Sequence, residues 1–206
     1  MRGELGISAR KHGEAVRAFV AVPLPAGLRA AIGERIRALH AKPNGDAVRW
    51  VRPESLHLTL RFLGNVAVQD VAELAASVGE ALSDAGAFSV KFGPPQAFPA
   101  PRRPRGIVLG AVPEEPLAGL AARVETAVCA HGFAPERRKF RAHVTLGRLR
   151  SRRFPALDRQ APDPSEWWVD RVVLFESELA RDGARHRPLE TIFLGSATSV
   201  APPTHP

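Results

Sequence analysis

The chain carries one pattern twice, and this duplication limits the folds open to it more than any other feature. In the first copy RAFVAVPLP (17–25) reads as a short buried strand stopped by prolines. An amphipathic helix follows over about 26–40, with Leu28, Ile32, Ile36 and Leu39 at helical spacing, and LHLTLRFL (56–63) is a second strand. In the second copy RGIVLGAVP (105–113) is again a strand ending at proline. A helix over about 116–131 carries Leu117, Leu120, Val124 and Val128, and AHVTLGRL (142–149) closes the unit. Arg17 and Arg105 lie 88 residues apart, and His57 and His143 lie 86 apart. Two strand–helix–strand units in register, each ending on a His-x-Thr strand, mark an internal repeat.

Between the copies, residues 69–85 predict another helix through Val71, Leu74, Val78 and Leu82, followed by the strand AFSVKF (87–92). The proline-rich GPPQAFPAPRRPRG (93–106) predicts an irregular surface loop between lobes. A basic polar segment (150–166) then leads to one long strand, WWVDRVVLFESEL (167–179), and to RPLETIFLG (187–195). These elements predict an α+β fold of two antiparallel sheets, related by pseudo-two-fold symmetry and flanked by helices. A single bilobal domain is expected over residues 17–196, with a disordered extension over 1–16 and a disordered tail over 197–206.

Composition narrows the partners. No stretch approaches the roughly 18 consecutive apolar residues of a membrane span, and residues 1–16 lack the apolar centre of a signal peptide. Cys129 is the single cysteine, so no internal disulfide can form; it is expected to be a small buried hydrophobe, in a cytoplasmic protein. The net charge of +8 comes mostly from arginine, since only Lys11, Lys42, Lys91 and Lys139 are lysines. Arginine's planar fork suits phosphate, and the charge points to an anionic partner such as nucleic acid. A GC-rich coding sequence, which the abundance of alanine and proline suggests, would raise arginine equally well.

Side chains alternate across a strand, so His57 and Thr59 share one face while Leu56, Leu58 and Leu60 take the other. His143 and Thr145 likewise oppose Ala142, Val144 and Leu146. If the repeat is also a spatial two-fold, two imidazole–hydroxyl faces meet across a cleft. That set suits in-line displacement at phosphorus: one imidazole accepts a proton from the attacking oxygen and the other protonates the leaving oxygen. The threonine hydroxyls can donate to the non-bridging oxygens. A lone His-x-Thr is more often structural; the duplicated pair favours function. Metal binding finds no third histidine or carboxylate at ligand spacing near either histidine, and no phosphate-cradling GxxxxGK[ST] loop occurs. By strict alternation Arg61 shares the His57 face, whereas Arg148 turns away unless a bulge returns it.

With these residues in view, the chain resembles the RNA 2′,3′-cyclic phosphodiesterase family of the two-histidine phosphoesterase superfamily. The likeness spans roughly residues 17–195 and rests on VRWVRPESLHLTLRFLGNV, GFAPERRKFRAHVTLGRLR and the flanking RAFVAVPLP, AFPAPRRPRGIVLGAV and LFESELARDGARHRPLETIFL. It implies a bilobal fold with the active-site cleft between the sheets. It also implies hydrolysis of RNA-terminal 2′,3′-cyclic phosphate to a 2′-phosphomonoester, without metal or cofactor. The resemblance makes His57 the proton donor and His143 the proton acceptor, with Thr59, Thr145 and Arg148 on the phosphate, the last against the alternation argument. The partners it implies are RNA ends or small cyclic-phosphate nucleotides, and a monomer is expected. Alternatives are 2′–5′ RNA ligation, another cyclic phosphate, or a non-catalytic basic RNA-binding module. One departure is that relatives often have a tyrosine where Gly183-Ala184-Arg185-His186 stands, and this chain has no tyrosine.

Overall fold

The computed structural model describes residues 14–180 and 183–195. Most of the two expected terminal segments lies outside these residues, but Ala15 and Val16 already belong to the first strand, and Val16 is buried. The elements are β1 (Ala15–Pro23), α1 (Ala26–His40), β2 (Val48–Trp50), β3 (His57–Ala67), α2 (Val71–Ala81), β4 (Phe88–Phe98), β5 (Gly106–Val112), α3 (Glu114–Ala130), β6 (His143–Leu149), β7 (Glu166–Val169), β8 (Arg171–Ala180) and β9 (Gly183–Phe193). Among the described residues no helix is long and apolar enough to cross a membrane.

The strands run in the order β7-β4-β5-β6-β3-β1-β8-β9, with β2 attached to β6. This order is symmetric about its middle. Four strands from the second copy and its surroundings end on β6, and four from the first end on β3. The expected two sheets are therefore halves of one antiparallel sheet, joined at the centre by a single residue pair, Leu58 opposite Val144. Beyond that pair the halves part, and β2 occupies the far end of β6 through Val48–Leu149, Arg49–Arg148 and Trp50–Gly147. Gly147 permits this approach, because a Cβ there would stand 2.5 Å from Val48 Cγ1.

Leu28, Ile32 and Leu39 of α1, Leu74 and Val78 of α2, and Leu117, Val124 and Val128 of α3 form one apolar cluster with the inward residues of the sheet, Leu58, Leu60, Val144 and Leu146 among them. Burying each such side chain contributes about 1.5–3 kcal/mol. The leucines and valines of LHLTL and AHVTL thus hold their strands against the helices, and the histidines are carried on the opposite face. Cys129 is only partly covered, and its thiol donates to Glu125 Oε1 at 3.5 Å.

Two expectations of local structure change. The loop predicted over 93–106 is strand as far as Phe98, with Pro94 and Pro95 at a register shift against β5. Pairing of β4 with β7 ends at Lys91, so these prolines lie where no strand on that side asks for a backbone N–H. The single long strand expected over 167–179 breaks at Asp170. Its first part, β7, pairs with β4 in one half; its second part, β8, pairs with β1 in the other.

Candidate active site

The central pair brings the two His-x-Thr segments side by side. With Leu58 opposite Val144, antiparallel register sets His57 level with Thr145 and Thr59 level with His143, all four on the face away from the helices. Both imidazoles are held in the same way. His57 Nδ1 lies 2.8 Å from the Ser55 carbonyl, and His143 Nδ1 lies 2.6 Å from the Arg141 carbonyl. A carbonyl only accepts, so each Nδ1 carries the proton, and the neutral ring keeps its lone pair on Nε2. Each support is tethered in turn. Ser55 Oγ donates to the Ala184 carbonyl at 3.1 Å, and the Ala142 N–H donates to Glu114 Oε1 at 3.2 Å.

Matching bulges interrupt both central strands. On β6, Thr145 pairs with Val108 but Gly147 pairs with Ile107, so Leu146 is an extra residue. Its carbonyl accepts from the Val51 N–H at 2.8 Å, and Leu146 and Gly147 are both buried. Alternation slips by one, and Arg148 returns to the histidine face, where its charge acts on both imidazoles. This overturns the alternation argument against Arg148. On β3, Thr59 pairs with Ala21 and Arg61 with Val20, making Leu60 the extra residue. A second shift at Leu63 is relieved by Gly64 at φ 76°. Arg61, expected beside His57, is thereby turned to α3, where it forms an ion pair with Glu125 and donates to the Ala134 carbonyl. Phe62 comes to the histidine face instead, 54% exposed and 5.9 Å from the Phe19 ring.

Burial away from water dominates the titration of the site. It lowers the pKa of His57 from 6.5 to about 4, helped by the nearby His186, Arg148 and His143 and opposed by the Ser55 carbonyl. His143 is lowered too, first by burial and then by Arg141 and Arg148, against the Arg141 carbonyl. Both rings are therefore neutral in the folded protein near neutrality.

Aromatic rings wall the imidazoles. Phe19 lies 4.7 Å from the His57 ring, and His186 meets it edge-on at 4.9 Å and 88°. His186 has a buried Nδ1 with no hydrogen-bond partner among the described residues, and burial lowers its pKa. On the other side Phe98 stacks on His143 at 4.5 Å, and the Arg141 guanidinium lies 4.5 Å over Phe98. A cavity of about 310 Å³ opens there, lined by Gln96, Phe98, Val108, Gly110, Arg141 and His143. Sequence reasoning missed Phe19, Phe62, Phe98 and Arg141. For Phe62 a signal existed, because it follows His57 by the same five residues that separate Arg148 from His143. Among the described residues no three His, Cys, Asp or Glu side chains converge as metal ligands.

Two four-stranded halves, each offering one His-x-Thr strand to a shared cleft, make the bilobal two-histidine phosphoesterase fold. The chain belongs to the 2′–5′ RNA ligase superfamily, whose model matches residues 25–181. The RNA 2′,3′-cyclic phosphodiesterase of Methanothermobacter thermautotrophicus is 33% identical over 186 residues, covering 87% of this chain and 99% of that protein. The protein of the same name from Escherichia coli K12 is 31% identical over 189 residues, covering 86% and 96%. The structure of E. coli LigT complexed with 3′-AMP superposes with a TM-score of 0.71 at 30% identity, over 88% of this chain and 99% of that one.

Proposed function

We propose that the chain hydrolyses RNA-terminal 2′,3′-cyclic phosphates to 2′-phosphomonoesters, without metal or cofactor, as a monomer in the cytoplasm. The observation that carries this reading is the matched pair of imidazoles, each with Nδ1 tied to the carbonyl two residues back and, among the described residues, no partner on Nε2. His143 takes a proton from water as the water oxygen bonds to phosphorus. The P–O3′ bond breaks on the far side, and His57 gives its proton to O3′. Thr59 and Thr145 donate to the non-bridging oxygens, and Arg148 offsets the charge that builds on them. His57 must be protonated for this step, although burial holds its pKa at about 4 in the free protein. An entering phosphate anion opposes the surrounding cations and raises that pKa, so substrate binding charges the donor.

The cavity beside His143 favours a second reading. It leaves room on the nucleophile side for a nucleoside whose hydroxyl replaces water, and attack through that hydroxyl is 2′–5′ ligation.

One experiment tests the main reading: a dinucleotide 2′,3′-cyclic phosphate is incubated with protein kept in excess EDTA, and the product is identified by ³¹P NMR. Turnover to the 2′-phosphate supports it. Loss of activity on chelation with recovery on adding a divalent ion, or a 3′-phosphate product, overturns it.

A further inference from the structure

Arg148 does not stand alone on its face. Arg49 of β2 is directly opposite it in the sheet, and residues so placed project side by side from the same face. Arg150 follows two residues on, about 7 Å along the chain direction, its N–H donating to the Ala47 carbonyl at 2.8 Å. On the other flank Gly106 faces Arg148, and the turn before it carries Arg102, Arg103 and Arg105; the Arg105 carbonyl accepts from the Leu149 N–H at 3.0 Å. All six arginines are exposed. Among the described residues none of them has a carboxylate partner, whereas Arg35, Arg61 and Arg123 each do. Like charges set directly opposite on a sheet destabilise it, and an anion lying between them removes that cost.

We propose that this arginine row is the path along which single-stranded RNA, on the 5′ side of its cyclic terminus, leaves the cleft. The inference rests on the hydrolytic reading for its starting point. The row begins at Arg148, inside the cleft, and runs outward over β2, the end of β6 and the turn before β5. A nucleic-acid strand whose last phosphate is held between the histidines would carry its preceding phosphates past Arg49 and Arg150 on this face, with Arg105 in the turn at its edge. Phosphate contacts of this kind carry no base information, so the path serves any sequence. It makes the protein an enzyme of RNA ends in preference to free cyclic mononucleotides.

The test uses Arg49→Ala/Arg105→Ala/Arg150→Ala, which leaves Arg148 in place, and two readouts. The first is the affinity of a labelled RNA decanucleotide ending in a 2′-phosphate, by fluorescence anisotropy at increasing salt. Each lost phosphate contact lowers the slope of log K against log salt by about 0.7 on a single strand, so the triple variant should be shallower by about 2. Over roughly 50 to 200 mM salt that difference amounts to about 20-fold. The second readout is kcat/KM, which should fall for the decanucleotide cyclic phosphate and stay unchanged for a cyclic mononucleotide. An unaltered salt slope overturns the path, as does an equal loss on both substrates. A wild-type protein that hydrolyses neither substrate but shows the expected change of slope keeps the path and removes the hydrolytic reading.

Discussion

Phe62 and Arg148 stand five residues beyond His57 and His143, at equivalent places on the two central strands, and there the two-fold relation between the halves breaks. Equal bulges bring both side chains to the histidine face, but one offers a guanidinium and the other a ring. Arg148→Ala should remove a charge-assisted contact of about 1.5–3 kcal/mol, a loss of roughly 10- to 150-fold in kcat/KM on every cyclic phosphate. Phe62→Ala should cost about 1–3 kcal/mol only on substrates bearing a base, as loss of stacking does. Steady-state kinetics on a cyclic nucleotide and on a baseless cyclic ribose phosphate separate the two, and an equal effect of Phe62→Ala on both substrates would remove its stacking role.

Replacing the imidazoles tests the proton transfers directly. His57→Ala and His143→Ala should each lower kcat by about 10²–10⁴-fold with little change in product affinity. The double variant should be scarcely worse than the weaker single one, because the pair acts as a unit. A substrate with a far better leaving group needs little protonation, so it should rescue His57→Ala and not His143→Ala. Rescue of His143→Ala alone would exchange the two roles.

The pH dependence follows from burial. Both histidines are lowered in the free protein, His57 to about 4, so both limbs of a bell-shaped kcat/KM profile should lie on the acid side of 6.5. The kcat profile reports the complex, where phosphate raises His57, and its limbs should move to higher pH. Limbs of kcat that coincide with those of kcat/KM would show that the anion does not charge the donor.

The same burial makes the fold sensitive to mild acid. Unfolded, His57 takes a proton near 6.5; folded, it refuses one until about 4. The stability it contributes is therefore complete above 6.5 and is lost as pH falls from 6.5 to about 4, by about 2 kcal/mol between pH 7 and 5. Urea unfolding of wild type and His57→Gln at these two pH values isolates this contribution. The variant should lose less stability on acidification, and equal losses would contradict the burial of His57.

The sequence discloses both His-x-Thr strands and, through helical spacing, all three helices, because alternation and spacing are local; that the two expected sheets join at Leu58 and Val144 is not local and is not disclosed. The expected helix over 26–40 coincides with α1. The arginines are another matter. Alternation puts Arg61 in the site and Arg148 outside it, and bulges at Leu60 and Leu146 exchange them. A bulge is a property of two paired strands, so a single strand read alone does not reveal it. The aromatic wall is hidden for a similar reason, since Phe19, Phe98 and His186 reach the histidines from three different strands.

The break at Asp170 has a consequence for synthesis. Strands β4 to β7 are consecutive and complete the second half of the sheet by themselves, whereas the first half needs β1 and β3 from the beginning of the chain and β8 and β9 from its end. A growing polypeptide can therefore close its later half first, while the earlier half waits, open at the β1 edge, for strands still inside the ribosome. The Ser55 hydroxyl finds Ala184, and His57 its neighbour His186, only once β9 has been made. A chain that stops after β7 lacks β8 and β9, which leaves β1 as an unpaired edge and the His57 side of the cleft without its His186 wall.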